Sequence, residues 1–311
     1  MAKILITESV HPIGPELLTA AGHTVVYADR DMDIIRREIV DADAVLVRII
    51  ELPGSLLATA KNLKIVSKHG VGDDNIDLDY CKSHGVAVTI TPNANSLSVA
   101  EHAFTLMLTL AKNIIPVSNE YREIGFAAKN HAPGIEMTGK TLGLIGMGRI
   151  GKHVLHMCKD GLDMHVIVYD PYISEVPEGV EKVDDLSELL HRADVVTLHC
   201  LLTDETRKLI DRERLALMKP TALLINCARG PIVDEAALIE ALENGRLAGA
   251  GLDVTDPEPV APDSPLFKLP NVIVTPHYAP TTVESATRVS KIAAENINAV
   301  LAGKEPVGRI V

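Results

Sequence analysis

Three polar side chains stand where an apolar run gives out, and a fourth lies between two of them. Arg229 follows "LLINCA", Asp253 closes "AGAGLDV", and His277 ends "NVIVTPH". Glu258 sits in "DPEPVAPDSPLFKLP", between the last two. A guanidinium stays charged in any protein and is rarely buried unpaired, so Arg229 calls for an anion. Histidine is the side chain that titrates near neutrality, which suits general acid–base work. A carboxylate beside an imidazole fixes the ring and stabilises its charged form. Taken singly, each residue has a plain reading. Arg229 could pair with a surface acid, Glu258 could be a solvated loop acid, His277 could pack, and Asp253 could cap a turn. Taken together at successive strand ends, they suit an anionic substrate whose carbonyl is polarised and whose oxygen takes up a proton.

A second constellation precedes these. "TLGLIGMGRIGKHVLHMC" carries G-x-G-x-x-G at Gly146, Gly148 and Gly151. Gly146 permits a tight turn, Gly148 leaves room for a pyrophosphate, and Gly151 lets a helix pack closely on the strand. The opening of that helix offers N–H groups and partial positive charge to phosphates. Alone the motif is an ordinary glycine-rich turn. Here it follows a strand pattern and opens a helix, and Asp170 lies nineteen residues past Gly151 at the end of "HVIVYD". An acid there binds ribose hydroxyls and repels a 2′-phosphate, and neither Pro171 nor Tyr172 supplies a compensating arginine. The cofactor expected is NAD rather than NADP.

The elements that must hold these residues are legible in outline. "KILIT", "TVVYAD", "AVLVRI", "LKIVSKHG" and "VAVTIT" alternate with helical patterns through the first ninety or so residues. This rhythm implies βαβ units and a parallel sheet with both faces covered. Pro92 to Leu97 reads as a crossing, followed by a helix over roughly 96–112 and an irregular stretch to about Gly139. Alternation restarts at "TLGLIGMG" and continues through "MHVIVYD", "ADVVTLHC", "ALLINCA", "AGAGLDV" and "NVIVTPH". The loop around Glu258 carries prolines at 257, 259, 262, 265 and 270, so it is stiff rather than floppy. The expected fold class is α/β, with two doubly wound parallel-sheet domains and an interdomain cleft. A flavodoxin-like substrate domain takes 1–96 with 282–311, and a Rossmann NAD-binding domain takes 97–281.

Bulk properties exclude several classes. The chain has 311 residues, 47% hydrophobic and 23% charged, with a formal net charge of −12, which suits an ordinary globular protein of about two domains. There is no basic run for a nucleic acid or an anionic membrane, so any anion site must be built locally. The cysteines at 81, 158, 200 and 227 form no C-x-x-C pair, and "MAKILITESVHP" reads as a first strand rather than a signal peptide. A cytoplasmic location is expected. His153 and His156 are spaced as a metal pair on a helix but lack further ligands, so no metal is expected. His102 and His199 read as hydrogen-bonded structural residues.

Across nearly its whole length the sequence resembles the D-2-hydroxyacid dehydrogenases, especially the catalytic core of the phosphoglycerate dehydrogenases. The carriers are "GVGDDNID" (70–77), "SVAEH" (98–102), "GMGRIG" (146–151), "NCARG" (226–230), "GLDV" (251–254), "DPEP" (256–259) and "TPH" (275–277). The resemblance implies that Arg229, Glu258 and His277 are catalytic. It implies cofactor contacts at Arg149, Ile150, Asp170, Cys227 and Ala228, with Asp253 near the nicotinamide. It also implies that the 70–77 loop closes the substrate side, with Val71 and Gly72 offering N–H groups and Arg48 nearby. The activity implied is NAD-dependent interconversion of a D-2-hydroxy acid and its 2-oxo acid in a homodimer. On that reading the anion of Arg229 is the substrate carboxylate.

Some positions depart from the family pattern. Leu201 stands in "HCLLT" where a proline is frequent, and "YAP" follows His277 where small residues are common. Ile49, Ile50 and Glu51 follow Arg48 where phosphoglycerate-type members often have small polar residues, and Asp73 adds a further acid. Extra negative charge opposes a phosphorylated substrate, and little chain follows the last helix before Val311 to form a regulatory domain. Three readings stay open: phosphoglycerate, a glyoxylate or hydroxypyruvate reductase, and a non-enzymatic NAD-sensing interaction protein on the same scaffold.

Overall fold

The computed structural model describes every residue, 1–311, and divides into two α/β units. Unit 1 comprises Met1–Asn95 with Thr281–Val311, and unit 2 is Ser96–Pro280.

Unit 1 is built on five parallel strands: β1 (Lys3–Ile6), β2 (Thr24–Tyr27), β3 (Ala44–Val47), β4 (Ile65–Lys68) and β5 (Ala87–Thr89). Their spatial order is β2-β1-β3-β4-β5, so the winding reverses between β1 and β3. The helices α1 (Ile13–Ala20), α2 (Met32–Glu38), α3 (Gly54–Leu57) and α4 (Leu78–Ser83), with the C-terminal helix Val283–Leu301, belong to the same unit. Separate apolar clusters form on the two faces of the sheet. Leu5, Val45 and Val66 pack with Ile35 on one, and Ile4, Leu46 and Ile65 pack with Ala293 and Ile297 on the other. Asp31 and Asp77 cap α2 and α4 by accepting backbone N–H groups, each such cap contributing about 1 kcal/mol.

Unit 2 opens with α5 (Ser96–Ala111) and α6 (Ile114–Ile124). The sequence leads one to expect an irregular segment after residue 112, but α6 is a regular helix, followed by a 3-10 turn over Gly125–Asn130. Ile114, Val117, Tyr121 and Ile124 do recur at helical spacing, but Pro116 among them reads as a breaker, and no residue of α6 is buried. Pro116 is tolerated in its first turn, where N–H groups lack intrahelical partners.

Seven parallel strands follow in unit 2: β6 (Thr141–Ile145), β7 (His165–Tyr169), β8 (Val180–Lys182), β9 (Val195–Leu198), β10 (Leu223–Asn226), β11 (Gly249–Leu252) and β12 (Val272–Val274). Helices α7 (Arg149–Leu162), α8 (Leu186–Arg192), α9 (Arg212–Leu217) and α10 (Glu235–Glu243) fill the connections. The order β12-β11-β10-β9-β6-β7-β8 reverses between β6 and β9. Strand β8 has no counterpart among the expected elements. It is a three-residue edge strand, Val-Glu-Lys, too short and polar to show a pattern. Val154 and Leu155 of α7 are buried against the sheet, worth about 1.5–3 kcal/mol each.

Register decides what leaves each sheet together. Asn226 pairs with Leu252, and Leu252 with Val274. Ile145 pairs with both Tyr169 and Leu198. The residues that follow these strands therefore emerge from one edge of the unit 2 sheet, its carboxyl edge.

Candidate active site

The glycine loop joins β6 to α7 at the strand-order reversal, where ligands of open α/β sheets sit. Its three glycines meet different surroundings. Gly146 has φ +90°, and a Cβ there would lie 2.7 Å from Cys200 N. A Cβ on Gly151 would lie 2.2 Å from Gly146 O. A Cβ on Gly148 would meet nothing within 4 Å, which leaves that side of the loop clear. Asp170 follows β7 directly. Its carboxylate accepts Met147 N–H at 2.9 Å and Tyr172 N–H at 3.0 Å, tying the acid to the loop. Tyr172 in turn donates its hydroxyl to Glu205 at 3.1 Å, which places a second acid in this neighbourhood. An open cradle at a helix N-terminus, backed by an acid one strand away, fits a dinucleotide held through Gly146, Gly148, Arg149, Ile150, Gly151 and Asp170.

Across the same sheet edge, Cys227, Ala228 and Arg229 follow β10. Asn226 shapes this turn: it is 1% exposed, accepts Ala228 N–H at 3.0 Å and donates to Arg229 O at 2.9 Å. Arg229 Nη1 donates to Ala228 O at 2.8 Å. Gly230 packs so tightly that a Cβ would fall 1.9 Å from Thr255 O, which binds this turn to the segment after β11. Burial, reinforced by the Asp253 carboxylate, pushes the Cys227 thiol well above the ordinary range, so it is no nucleophile.

Glu258 and His277 come together. His277 Nδ1 lies 2.7 Å from Glu258 Oε1, and both side chains are partly exposed, at 35% and 42%. His277 holds a left-handed backbone, φ +52°, and donates its N–H to Asp253 O at 2.8 Å. That conformation is disfavoured for a residue with a Cβ and needs support from its surroundings. Asp253 supplies the constraint. It is 1% exposed, and its carboxylate accepts Thr275 Oγ1 at 2.5 Å, Tyr278 N–H at 2.7 Å and Ala279 N–H at 2.9 Å. All three donors belong to the segment that carries His277.

The sequence reading misses Asn226 and Glu235. Glu235, at the start of α10, accepts Asp256 N–H at 2.9 Å and so steadies the loop bearing Glu258. Burial pushes its carboxyl upward, with Asp256 adding to the shift against the stabilising N–H. A signal for Asn226 exists, since an asparagine closing a buried apolar run needs local partners.

In unit 1, Arg48 follows β3, and Val71 and Gly72 lie in the loop after β4. Glu8, just past β1, is 2% exposed and accepts Arg48 N–H at 2.7 Å and Ile49 N–H at 2.9 Å. Lys68 is not a solvated charge: it is 8% exposed and reaches Arg48 O at 2.5 Å and also Asn75 Oδ1.

Residues 104–279 match the D-isomer specific 2-hydroxyacid dehydrogenase, NAD binding domain. The chain belongs to the D-isomer specific 2-hydroxyacid dehydrogenase family. It is similar to the D-3-phosphoglycerate dehydrogenase of Methanocaldococcus jannaschii, with 43% identity over 308 residues, 98% of this chain and 58% of that protein. It is also similar to the glyoxylate reductase of Thermofilum pendens, with 37% identity over 98% of this chain and 93% of that protein. A crystal structure of a Thermus thermophilus protein superposes with a TM-score of 0.92 at 35% identity, covering 99% of this chain and 100% of the other. The chain thus spans about half the length of the phosphoglycerate dehydrogenases it matches. Family membership accounts for the two parallel α/β units and for the nicotinamide dinucleotide fold of unit 2.

Proposed function

We propose that the protein is an NAD-dependent oxidoreductase interconverting a D-2-hydroxy acid and its 2-oxo acid, with D-3-phosphoglycerate and 3-phosphohydroxypyruvate the favoured pair. The observation that carries the reading is the 2.7 Å His277–Glu258 pair on the sheet edge from which Arg229 and the glycine loop also emerge. The bound nicotinamide supplies or accepts a hydride. His277 shares Nδ1 with Glu258, so Nε2 is the atom that hands a proton to the substrate oxygen. Arg229 binds the substrate carboxylate and draws charge toward the carbonyl oxygen. Asp170 binds the ribose hydroxyls and, with Glu205 close by, disfavours a 2′-phosphate. Cys227 and Ala228 keep the turn after β10 small enough for the cofactor, and Arg48, Val71 and Gly72 are the substrate contacts proposed from unit 1.

A second reading is a glyoxylate or hydroxypyruvate reductase. It is favoured by near full-length similarity to the Thermofilum pendens enzyme and by Ile49, Ile50 and Glu51 after Arg48. NADH consumption with 3-phosphohydroxypyruvate, hydroxypyruvate, glyoxylate and pyruvate separates the readings. The highest kcat/KM on 3-phosphohydroxypyruvate supports the first, and the reverse order supports the second. Bound NADH with no turnover of any acid leaves a non-enzymatic NAD-sensing interaction protein.

The functional particle is proposed to be a homodimer. Ile114 (54% exposed), Tyr121 (58%) and Phe126 (74%) put apolar side chains into solvent along α6 and the turn after it. Light scattering should give about twice the chain mass of 33.5 kDa. A cytoplasmic location belongs to the same proposal. It is supported by four unpaired cysteines, and no helix is long and apolar enough to cross a membrane.

A further inference from the structure

We propose that His102 on α5 is a positioning residue for His277, acting through Thr275 and Asp253. His102 Nε2 lies 3.0 Å from Thr275 Oγ1 and 3.5 Å from Asp253 Oδ1. Thr275 Oγ1 lies 2.5 Å from Asp253 Oδ1. A carboxylate only accepts, so the single Thr275 hydroxyl proton is directed at Asp253. Thr275 Oγ1 must then accept from the histidine, which requires a proton on His102 Nε2. That proton sets the direction of the whole chain: His102 to Thr275, Thr275 to Asp253.

The loop is gripped on both sides of the reacting histidine. Thr275 is held two residues before His277, and Asp253 takes the N–H groups of Tyr278 and Ala279 directly after it. The Tyr278 ring meets the His102 ring edge-on, with centroids 6.2 Å apart. Tyr278, a departure from the usual small residue, thus covers the histidine that starts the chain. His277 itself needs this grip, because its φ of +52° is disfavoured for a side-chain-bearing residue. Released from Thr275, the loop relaxes and the ring moves off Glu258. All of these groups belong to unit 2, with α5 on one side and the β11 and β12 ends on the other.

The kinetic arm of the test rests on the dehydrogenase reading, and the spectroscopic arm does not. His102→Leu and Thr275→Val remove the hydrogen bonds at nearly constant volume. Each should lower kcat about ten- to a hundredfold, leaving the NADH dissociation constant within about twofold. His102→Gln, whose amide nitrogen reaches the Nε2 position, and Thr275→Ser should recover most of the loss. The double variant should be no worse than the poorer single one, because both break one chain. Nitrogen-15 NMR of the wild-type imidazoles should show His102 protonated at Nε2. The His277 resonances, identified by their loss in His277→Ala, should shift in His102→Leu and return in His102→Gln. A His102 protonated only at Nδ1, or His277 resonances indifferent to both variants, would overturn the proposal. So would single-variant losses that multiply in the double. A wild-type protein that turns over no 2-oxo acid while the NMR outcome holds would sink the dehydrogenase reading and leave the positioning chain intact.

Discussion

The two units use the same device at their carboxyl edges, with different cargo. Unit 1 buries Glu8 just past β1, and unit 2 buries Asp253 just past β11; they are 2% and 1% exposed. Each carboxylate accepts backbone N–H groups from a loop that follows another strand: Arg48 and Ile49 for Glu8, Tyr278 and Ala279 for Asp253. A buried carboxylate satisfied by several N–H groups is a rigid clamp, since losing a donor leaves an acceptor unsatisfied in the interior. In unit 1 the clamped loop carries a guanidinium, and in unit 2 it carries an imidazole. Glu8 has one side-chain donor within hydrogen-bond reach, the Thr7 hydroxyl at 3.1 Å. Asp253 has Thr275, which is itself met by His102. The more strained backbone, at His277, has the more elaborate support. In the proposed function, one clamp holds a binding group and the other holds the proton-transfer group.

The largest effect should come from removing that cargo. His277→Ala should lower kcat about a thousandfold or more with NADH affinity nearly unchanged, as loss of a general acid does. Arg229→Lys should raise the 2-oxo acid KM by about tenfold or more, because a point charge replaces a planar fork. Stopped-flow kinetics and NADH fluorescence titration check both. Unchanged constants in Arg229→Lys would remove the role proposed for it.

Breaking the clamps comes next. Asp253→Asn puts an NH2 group where an oxygen accepts an N–H, so kcat should fall by about tenfold to a hundredfold, and denaturant unfolding should show a loss of about 2–3 kcal/mol. Glu8→Gln should cost about 1–3 kcal/mol of stability by the same reasoning. Its kinetic effect should fall on the 2-oxo acid KM by a few-fold, with kcat close to wild type. If Glu8→Gln depressed kcat as Asp253→Asn does, the division of labour between the clamps would be wrong.

The clamps also show what can be read from a chain alone. Arg229, Asp253, Glu258 and His277 are visible because each interrupts a local pattern, at a strand end or within a proline-rich loop. The glycine loop and the alternation of strands and helices are local in the same sense. Glu8 interrupts a pattern too, directly after "KILIT", but its partners lie about forty residues away and nothing nearby distinguishes it from a solvated acid. His102 and Thr275 are separated by 173 positions, so the pairing exists only once α5 lies beside β12. Helix α6 fails for a different reason: Ile114, Val117, Tyr121 and Ile124 recur at helical spacing, but Pro116 in the first turn reads as a breaker.

The smallest effect concerns a second parallel. Each sheet sets a histidine one residue past a strand, His69 after β4 and His199 after β9. Both retain some exposed area, but His69 Nε2 and His199 Nδ1 are sealed without a hydrogen-bond partner. Burial lowers His69 to about 4, helped by Arg48 and Lys68, and lowers His199 to about 3. Both folded values lie below the unfolded one, near 6.5. Their contribution to stability is therefore complete above about pH 6.5 and drains away as the pH falls toward the folded values, by up to ~1.4 kcal/mol per pH unit for each ring. Lowered carboxylates act in a different window. Burial alone would raise Asp194, but Lys219 and the Thr141 N–H outweigh it. A depressed acid of this kind loses its contribution only below its unfolded value of about 4. The interval between about pH 6.5 and 5 thus holds the loss from the two imidazoles and lies above the depressed acids; the raised Glu235 acts in the opposite sense and is common to wild type and variants. His69→Gln and His199→Gln should each lessen the stability lost across it by up to ~2 kcal/mol in urea unfolding, and the two reductions should add, because the rings sit in separate units. A wild-type protein equally stable at both pH values would mean that these rings are open to solvent and protonate freely in the folded state.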